Sequence, residues 1–301
     1  LEETYSHCRF YPIYGTGQGS GSSPGIWLVI ASTIFDCHQD KAHGATYTSP
    51  DGSVTLNISM VGFVDDSAGQ ANDLHQRTPM TPEAITLIMQ SDAQLWSDLL
   101  HSTGGALELA KCTYHVTHFD FLIAGAPIHR GGTIGPPIQI HSGDRQKTET
   151  IKALSSYTGY KTLGCWKEPH GNQPAQYKAS KTKSDLYSKM IQGSPCNTTD
   201  AWTFYFAIYL PSVGYPLPVS HFSEKDLAEI QKKAVNTMVS KCGFCCKTAR
   251  PIVYGTSRYG GMSFRHTYTE QGVGQLQLFI KHWCTPGQSG QLLRTVMAWA
   301  Q

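Results

Sequence analysis

A chain of 301 residues, 40% hydrophobic and 15% charged, can bury a core and fits one large globular domain or two smaller ones. Its formal net charge of +2 excludes a strongly basic nucleic-acid coat and leaves any such partner to local patches. The longest apolar runs, residues 25–35 and 201–210, fall short of the roughly 20 residues of a spanning helix, so no membrane partner is expected.

Residues 5–14 are aromatic and β-prone and lead into a glycine-rich loop, Gly15-Thr16-Gly17-Gln18-Gly19-Ser20-Gly21. That loop fits no phosphate-binding frame, because Ser20 or Ser22 stands where a third glycine is needed and no Gly-Lys-Ser/Thr follows. Ser22-Ser23-Pro24 instead supplies a cap and a first-turn proline. Ile26, Trp27, Ile30, Ile34 and Phe35 then recur at helical spacing, which predicts a helix to about His38. Residues 40–53 are polar, with Asp51-Gly52 as a turn.

Residues 54–69, VTLNISMVGFVDDSAG, alternate apolar and polar and predict a strand running to Val64. A second short run, residues 67–71, then leaves, which puts Asp65 and Asp66 at the tip of a hairpin. Adjacent carboxylates repel by about 1 to 4 kcal/mol at contact, depending on the dielectric. Water can offset that, as at most Asp turns, or a divalent metal can. Both remain open on the hairpin alone.

Thr81-Pro82-Glu83 opens the clearest helix, with Ile85, Ile88, Met89, Leu95, Trp96, Leu99 and Leu100 as its core stripe and Gly104-Gly105 at its end. Leu107-Glu108-Leu109 reads as a strand, Ala110-Lys111 as a bend and residues 112–118 as the next strand. Residues 119–140 read as an irregular connection with short strands, with His129 and Arg130 at the surface. Residues 157–166 read as a hairpin around Leu163-Gly164.

Beyond Pro174 the pattern becomes helical, over residues 176–192, 200–210 with a stop at Pro211, 223–241, 270–283 and 289–299. Arg258 and Arg265 flank a Gly-Gly turn that either meets phosphates or merely packs. Cys242 and Cys245 form a CxxC without the paired later ligands that zinc requires. The nine scattered cysteines predict reduced thiols and an intracellular setting, cytoplasm or nucleus. Residues 41–110 are acid-rich and residues 151–200 lysine-rich, the layout of a metal site beside a phosphate surface or of two solvated faces.

Four motifs follow one another: Gln18-Gly19 with Ser23-Pro24, Phe63-Val64-Asp65-Asp66, the glycine-to-lysine turn of residues 104–111, and Leu163-Gly164. This succession resembles the reverse transcriptase family, most closely the non-LTR retrotransposon enzymes, over about residues 10–165. The resemblance implies an α+β fold: a right-hand polymerase palm, an antiparallel sheet backed by helices, followed by a helical thumb. On that basis residues 1–118 are a partial palm, 119–172 the end of the palm with the primer-grip hairpin, and 173–301 the thumb and its extension.

It further implies that Asp65 and Asp66 hold Mg²⁺, with Mn²⁺ as an alternative, and that Lys111 protonates or neutralises departing pyrophosphate. Gln18 and Gly19 would contact template and incoming nucleotide. Leu163 and Gly164 would grip the primer, with Lys161 near its phosphates. The implied partners are an RNA template, a DNA primer, deoxynucleoside triphosphates and other domains of a parent polyprotein.

One departure matters. The family carries a further metal-binding aspartate upstream of the Gln-Gly loop, and residues 1–14 contain only Glu2 and Glu3 as acids. With no initiator Met and no signal peptide, the chain reads as a fragment, inactive alone, of an active parent. The alternatives are a decayed or RNA-copying polymerase-like protein, or a nucleic-acid-binding structural module with an accidental FVDD turn.

Overall fold

The computed structural model describes residues 22–64, 66–73, 80–123, 125–142 and 145–300. It mixes helices with small, mostly antiparallel sheets, as an α+β class requires. Among the described residues no helix is long and apolar enough to cross a membrane. Contacts divide the chain into two units, Leu1–Ser155 with Gln291–Gln301, and Ser156–Gly290. The division falls inside the 119–172 segment, and the Leu163-Gly164 hairpin groups with the helical residues.

In the first unit, helix α1 (Ser23–Lys41) carries Pro24 in its first turn, where a missing N–H breaks no helical bond. Only Ile34 and His38 are buried on it, while Ile26, Leu28 and Val29 are exposed. Of the expected apolar face, Ile34 is buried, Trp27, Ile30 and Phe35 are half-buried and Ile26 is exposed.

Strand β1 (Ala45–Thr48) pairs antiparallel with β2 (Thr55–Ile58), and β3 (Met60–Phe63) pairs antiparallel with β4 (Asp66–Gly69). The one strand expected over residues 54–64 is thus two. The break is at buried Ser59, whose N–H donates to Gln39 Oε1 on α1 at 2.9 Å and whose carbonyl accepts from Gln70 N–H at 3.0 Å. A helix side chain takes the donor that would have continued a single ladder.

Helix α2 (Pro82–Ser102) opens as expected, with the Thr81 hydroxyl accepting from Ala84 N–H at 3.3 Å. Its fully buried residues are Thr86, Asp92, Trp96 and Ser97, and most of the expected apolar stripe is half-buried. The segment after it differs from expectation. Residues 107–109 form no strand, and Leu109–Lys111 make a 3₁₀ turn. Lys111 N–H donates to the Glu108 carbonyl at 2.9 Å and Cys112 N–H to the Leu109 carbonyl at 3.1 Å, so local bonds consume the groups a ladder would use.

Strand β5 (Thr113–Tyr114) is only two residues long, against the seven-residue strand expected over 112–118. The hairpin of β6 (His118–Phe121) and β7 (Pro127–Arg130) follows, with Arg130 paired to Asp120 at 3.1 Å. Strands β8 (Ile138–His141) and β9 (Thr148–Ala153) join β5 in a sheet of order β5-β9-β8, with β5 parallel to β9. The open edge of β8 is closed by α2: Gln139 N–H donates to Gln90 Oε1 at 2.9 Å and His141 N–H to Gln94 Oε1 at 2.8 Å. Leu109, Tyr114, Val116, Ile138, Ile140 and Ile151 form the core between them.

The second unit begins with the hairpin of β10 (Tyr160–Thr162) and β11 (Cys165–Lys167). Helices α3 (Pro174–Gly193), α4 (Thr198–Phe204), α5 (Leu210–Gly214), α6 (Glu224–Lys241), α7 (Arg250–Tyr254) and α8 (Thr267–Trp283) follow, and α9 (Gln288–Ala298), most of which groups with the first unit, closes the chain. Its core gathers Ile191, Tyr205, Tyr209, Leu227, Met238 and Phe264 around α3 and α6. The helix expected from Ser223 opens on a capping box: the Ser223 hydroxyl accepts from Asp226 N–H at 3.2 Å, and Asp226 accepts from Ser223 N–H at 3.1 Å.

The expected stop at Pro211 is not there. Residues Tyr205–Tyr209 widen into a π-helical turn, and α5 restarts with Pro211 in its first turn. The widened turn places the proline where its absent N–H is tolerated, so the helical path continues to Gly214. Desolvation pushes the buried Tyr209 hydroxyl up to about 12, and it bonds Ser184 at 3.0 Å.

Candidate functional site

Strands β3 and β4 build the hairpin that the sequence marks for chemistry, with Phe63 opposite Asp66. Asp66 is therefore not at the tip. It is the first residue of β4, exposed and opposite Phe63 in the ladder. Asp65, Gln18 and Gly19 lie outside the described residues.

Val64 has φ of 57°, a left-handed conformation that a β-branched residue rarely adopts. It is held from α1: Trp27 Nε1 donates to the Val64 carbonyl at 2.8 Å. One step down the strand, Gly62 has no Cβ because one would overlap the Phe35 ring, which packs against Trp96 with centroids 4.9 Å apart. Glycine is required here by close approach, with α1 directly behind the hairpin.

Below the hairpin a buried polar network replaces the apolar packing that the sequence suggests. His38 Nδ1 meets Ser59 Oγ at 2.9 Å and His38 Nε2 meets the Asp92 carbonyl at 3.0 Å. A carbonyl only accepts, so Nε2 carries a proton. The Asp92 carboxylate accepts from His43 N–H and Gly44 N–H, at 3.0 and 3.1 Å, and meets His43 Nδ1 at 3.1 Å. Gly44, at φ of 65°, makes that turn possible. Sequence reasoning missed both residues. Their signal was position: His38 follows Ile34 by four residues, and Asp92 lies between Met89 and Trp96 at helical spacing.

Lys111 is exposed at the end of a 3₁₀ turn rather than in a bend between two strands. Cys112, next to Lys111, and Ser67, next to Asp66, line one cavity, so the two turns are neighbours. Burial, helped by Glu108 and Glu149, pushes the Cys112 thiol above its ordinary pKa.

In the second unit Leu163 and Gly164 form the tip of β10 and β11, with φ of 48° and 82°. Two left-handed residues in succession match the twist of a tight hairpin. Tyr215 Oη donates to the Leu163 carbonyl at 2.7 Å, and Gln176 Oε1 accepts from Trp166 N–H at 2.8 Å, so both ends of the hairpin are fixed. Lys161 is exposed, opposite Trp166. Leu163, Lys167, Tyr215 and Lys281 line a groove of about 470 Å³ beside the tip. Tyr215 and Lys281 are additions that no motif marked.

Two further cations have partners. Arg265 pairs with Glu270 at 3.2 Å, and Arg258 lies over the Tyr259 ring. Cys242 is buried while Cys245 and Cys246 are exposed. Among the described residues no three His, Cys, Asp or Glu side chains are grouped to hold a metal.

No protein-family model matches the chain, and no curated protein matches it.

Proposed function

We propose that the chain is part of an RNA-directed DNA polymerase of the retrotransposon type, comprising part of the palm, the primer grip and the thumb. The observation that carries this reading is the 2.8 Å hydrogen bond from Trp27 to Val64. It ties the aspartate hairpin to the first turns of the helix that follows Gln18 and Gly19. The Leu163-Gly164 turn, held by Tyr215 beside Lys167 and Lys281, adds a shaped cationic groove.

In this reading Asp65 and Asp66 hold Mg²⁺ or Mn²⁺. Carboxylate oxygens are the hard donors these ions take, and Asp66 is exposed with no ion pair to another described residue. The ion supplies activation of the primer 3′-hydroxyl and charge stabilisation on pyrophosphate. Lys111, exposed, neutralises or protonates that leaving group. Gln18 and Gly19 meet the RNA template and the incoming deoxynucleoside triphosphate. Leu163 and Gly164 bear on the DNA primer through backbone and shape, with Lys161 at its phosphates. All eight described cysteines are free thiols, which suits an intracellular setting.

A second reading, a polymerase-like protein that binds nucleic acid without catalysis, is favoured by one observation. Among the described residues no group of three or more His, Cys, Asp or Glu side chains is placed to hold a metal. The two readings separate in a primer-extension assay on poly(rA) with Mg²⁺. The full-length parent is expected to extend the primer, its Asp65→Ala variant to lose extension by at least a thousandfold, and residues 1–301 alone to show none. Undiminished synthesis by Asp65→Ala refutes the metal role.

A further inference from the structure

The hairpin of β6 and β7 pairs with no other strand among the described residues, so each of its strands has an open edge. Which backbone groups line those edges follows from the turn. Leu122 N–H donates to the Ala126 carbonyl at 3.0 Å and Gly125 N–H to the Leu122 carbonyl at 2.7 Å, with Gly125 at φ of 80°. Bonded and non-bonded pairs alternate along an antiparallel ladder. Asp120 and His118 therefore exchange bonds with Ile128 and Arg130, while Phe119, Phe121, Pro127 and His129 turn their backbone groups outwards.

The two edges are not alike. On β7, Pro127 stands at an outward position and offers no N–H, which blunts that edge. On β6 no proline stands, the one acid, Asp120, is paired with Arg130 at 3.1 Å, and Phe119 and Phe121 are 45% and 68% exposed. The two phenylalanines share one face of the strand, and His118 and Asp120, 3.5 Å apart, share the other. An edge with outward backbone groups and exposed aromatic rings is a template for another strand.

Charge decides which strand fits. Laid antiparallel against a second copy with Phe119 opposite Phe119 at the axis, β6 brings outward groups against outward groups. His118 then falls opposite Asp120 of the other copy, and the symmetry repeats the pair. A register centred on Asp120 also matches the backbone, but it sets two carboxylates opposite each other, which destabilises.

We propose that β6 is a self-association edge, which joins two copies of this chain about a twofold axis at Phe119 into a four-stranded β7-β6-β6-β7 sheet. An interface of this size associates weakly and reversibly. The proposal is independent of the polymerase reading, and its test needs no catalysis.

Sedimentation velocity of residues 1–301 at about 1 to 200 µM is expected to show a monomer–dimer equilibrium. Phe119→Lys sets two ammonium groups opposite each other at the axis and is expected to leave monomer throughout, with an unchanged far-UV circular dichroism spectrum. His118→Asp and Asp120→Lys are each expected to weaken association by about tenfold, since each removes both cross-strand ion pairs. Mixed together, these two variants set acid against base at both positions, and their heterodimer is expected to regain the parent's affinity, a result no folding defect produces. Monomer over the whole range, a dimer indifferent to Phe119→Lys, or a mixture no more associated than its components overturns the proposal.

Discussion

The Trp27 indole nitrogen lies 2.8 Å from the Val64 carbonyl, so one side chain of α1 holds the left-handed residue of the aspartate turn. A β-branched residue at positive φ persists only where its surroundings over-determine it. Trp27→Phe keeps the ring and removes the donor. It is expected to cost about 1 kcal/mol in denaturant unfolding and to speed amide exchange at Asp66 and Ser67. Unchanged exchange there would show that the turn needs no such anchor.

Gly62 and Phe35 make a second, steric link between the same two elements. A methyl at residue 62 meets the end of the Phe35 ring, which also packs against Trp96. Gly62→Ala is expected to destabilise by roughly 1 to 3 kcal/mol. Phe35→Leu in the same chain is expected to return part of that, as a favourable coupling in a double-mutant cycle. Additive losses would show that the close approach is not the reason for glycine.

These two links also mark how far the sequence could be read. The helix starts at Thr81 and Ser223 and the Leu163-Gly164 hairpin were legible, because caps and turn residues are local chemistry. The hairpin containing Asp66 was legible, but its register was not: alternation runs unbroken through Ser59, and only Gln39 on another element ends the ladder there. Leu107 and Leu109 looked like a strand, since two alternating apolar residues cannot tell a strand from a 3₁₀ turn. Asp92 and His38 were hidden for a different reason. A polar side chain within an apolar stripe reads as solvent-facing until the backbone groups it serves, 48 and 54 residues away, are brought to it.

His115 carries a pH dependence of stability. Burial holds its pKa below the ordinary value, and its Nδ1 meets the Ser155 carbonyl at 3.2 Å. A base depressed in the folded state leaves the unfolded chain binding more protons, so stability rises with pH through that window. Its contribution is complete above the unfolded pKa near 6.5 and is lost as pH falls below it. His115→Gln is expected to lose less stability than the parent between about pH 7 and 5. Identical acid profiles would contradict this assignment.

The central claim is that a divalent cation, rather than solvent alone, balances the adjacent carboxylates of Asp65 and Asp66. Paramagnetic Mn²⁺, added well below one equivalent to residues 1–301, reads this without any turnover. Selective broadening of the amide signals from Val64 to Ser67, reversed by excess Mg²⁺ and lost in Asp65→Asn and Asp66→Asn, is the expected result. Broadening spread evenly over exposed acids, or centred on the hairpin yet indifferent to both substitutions, would contradict it.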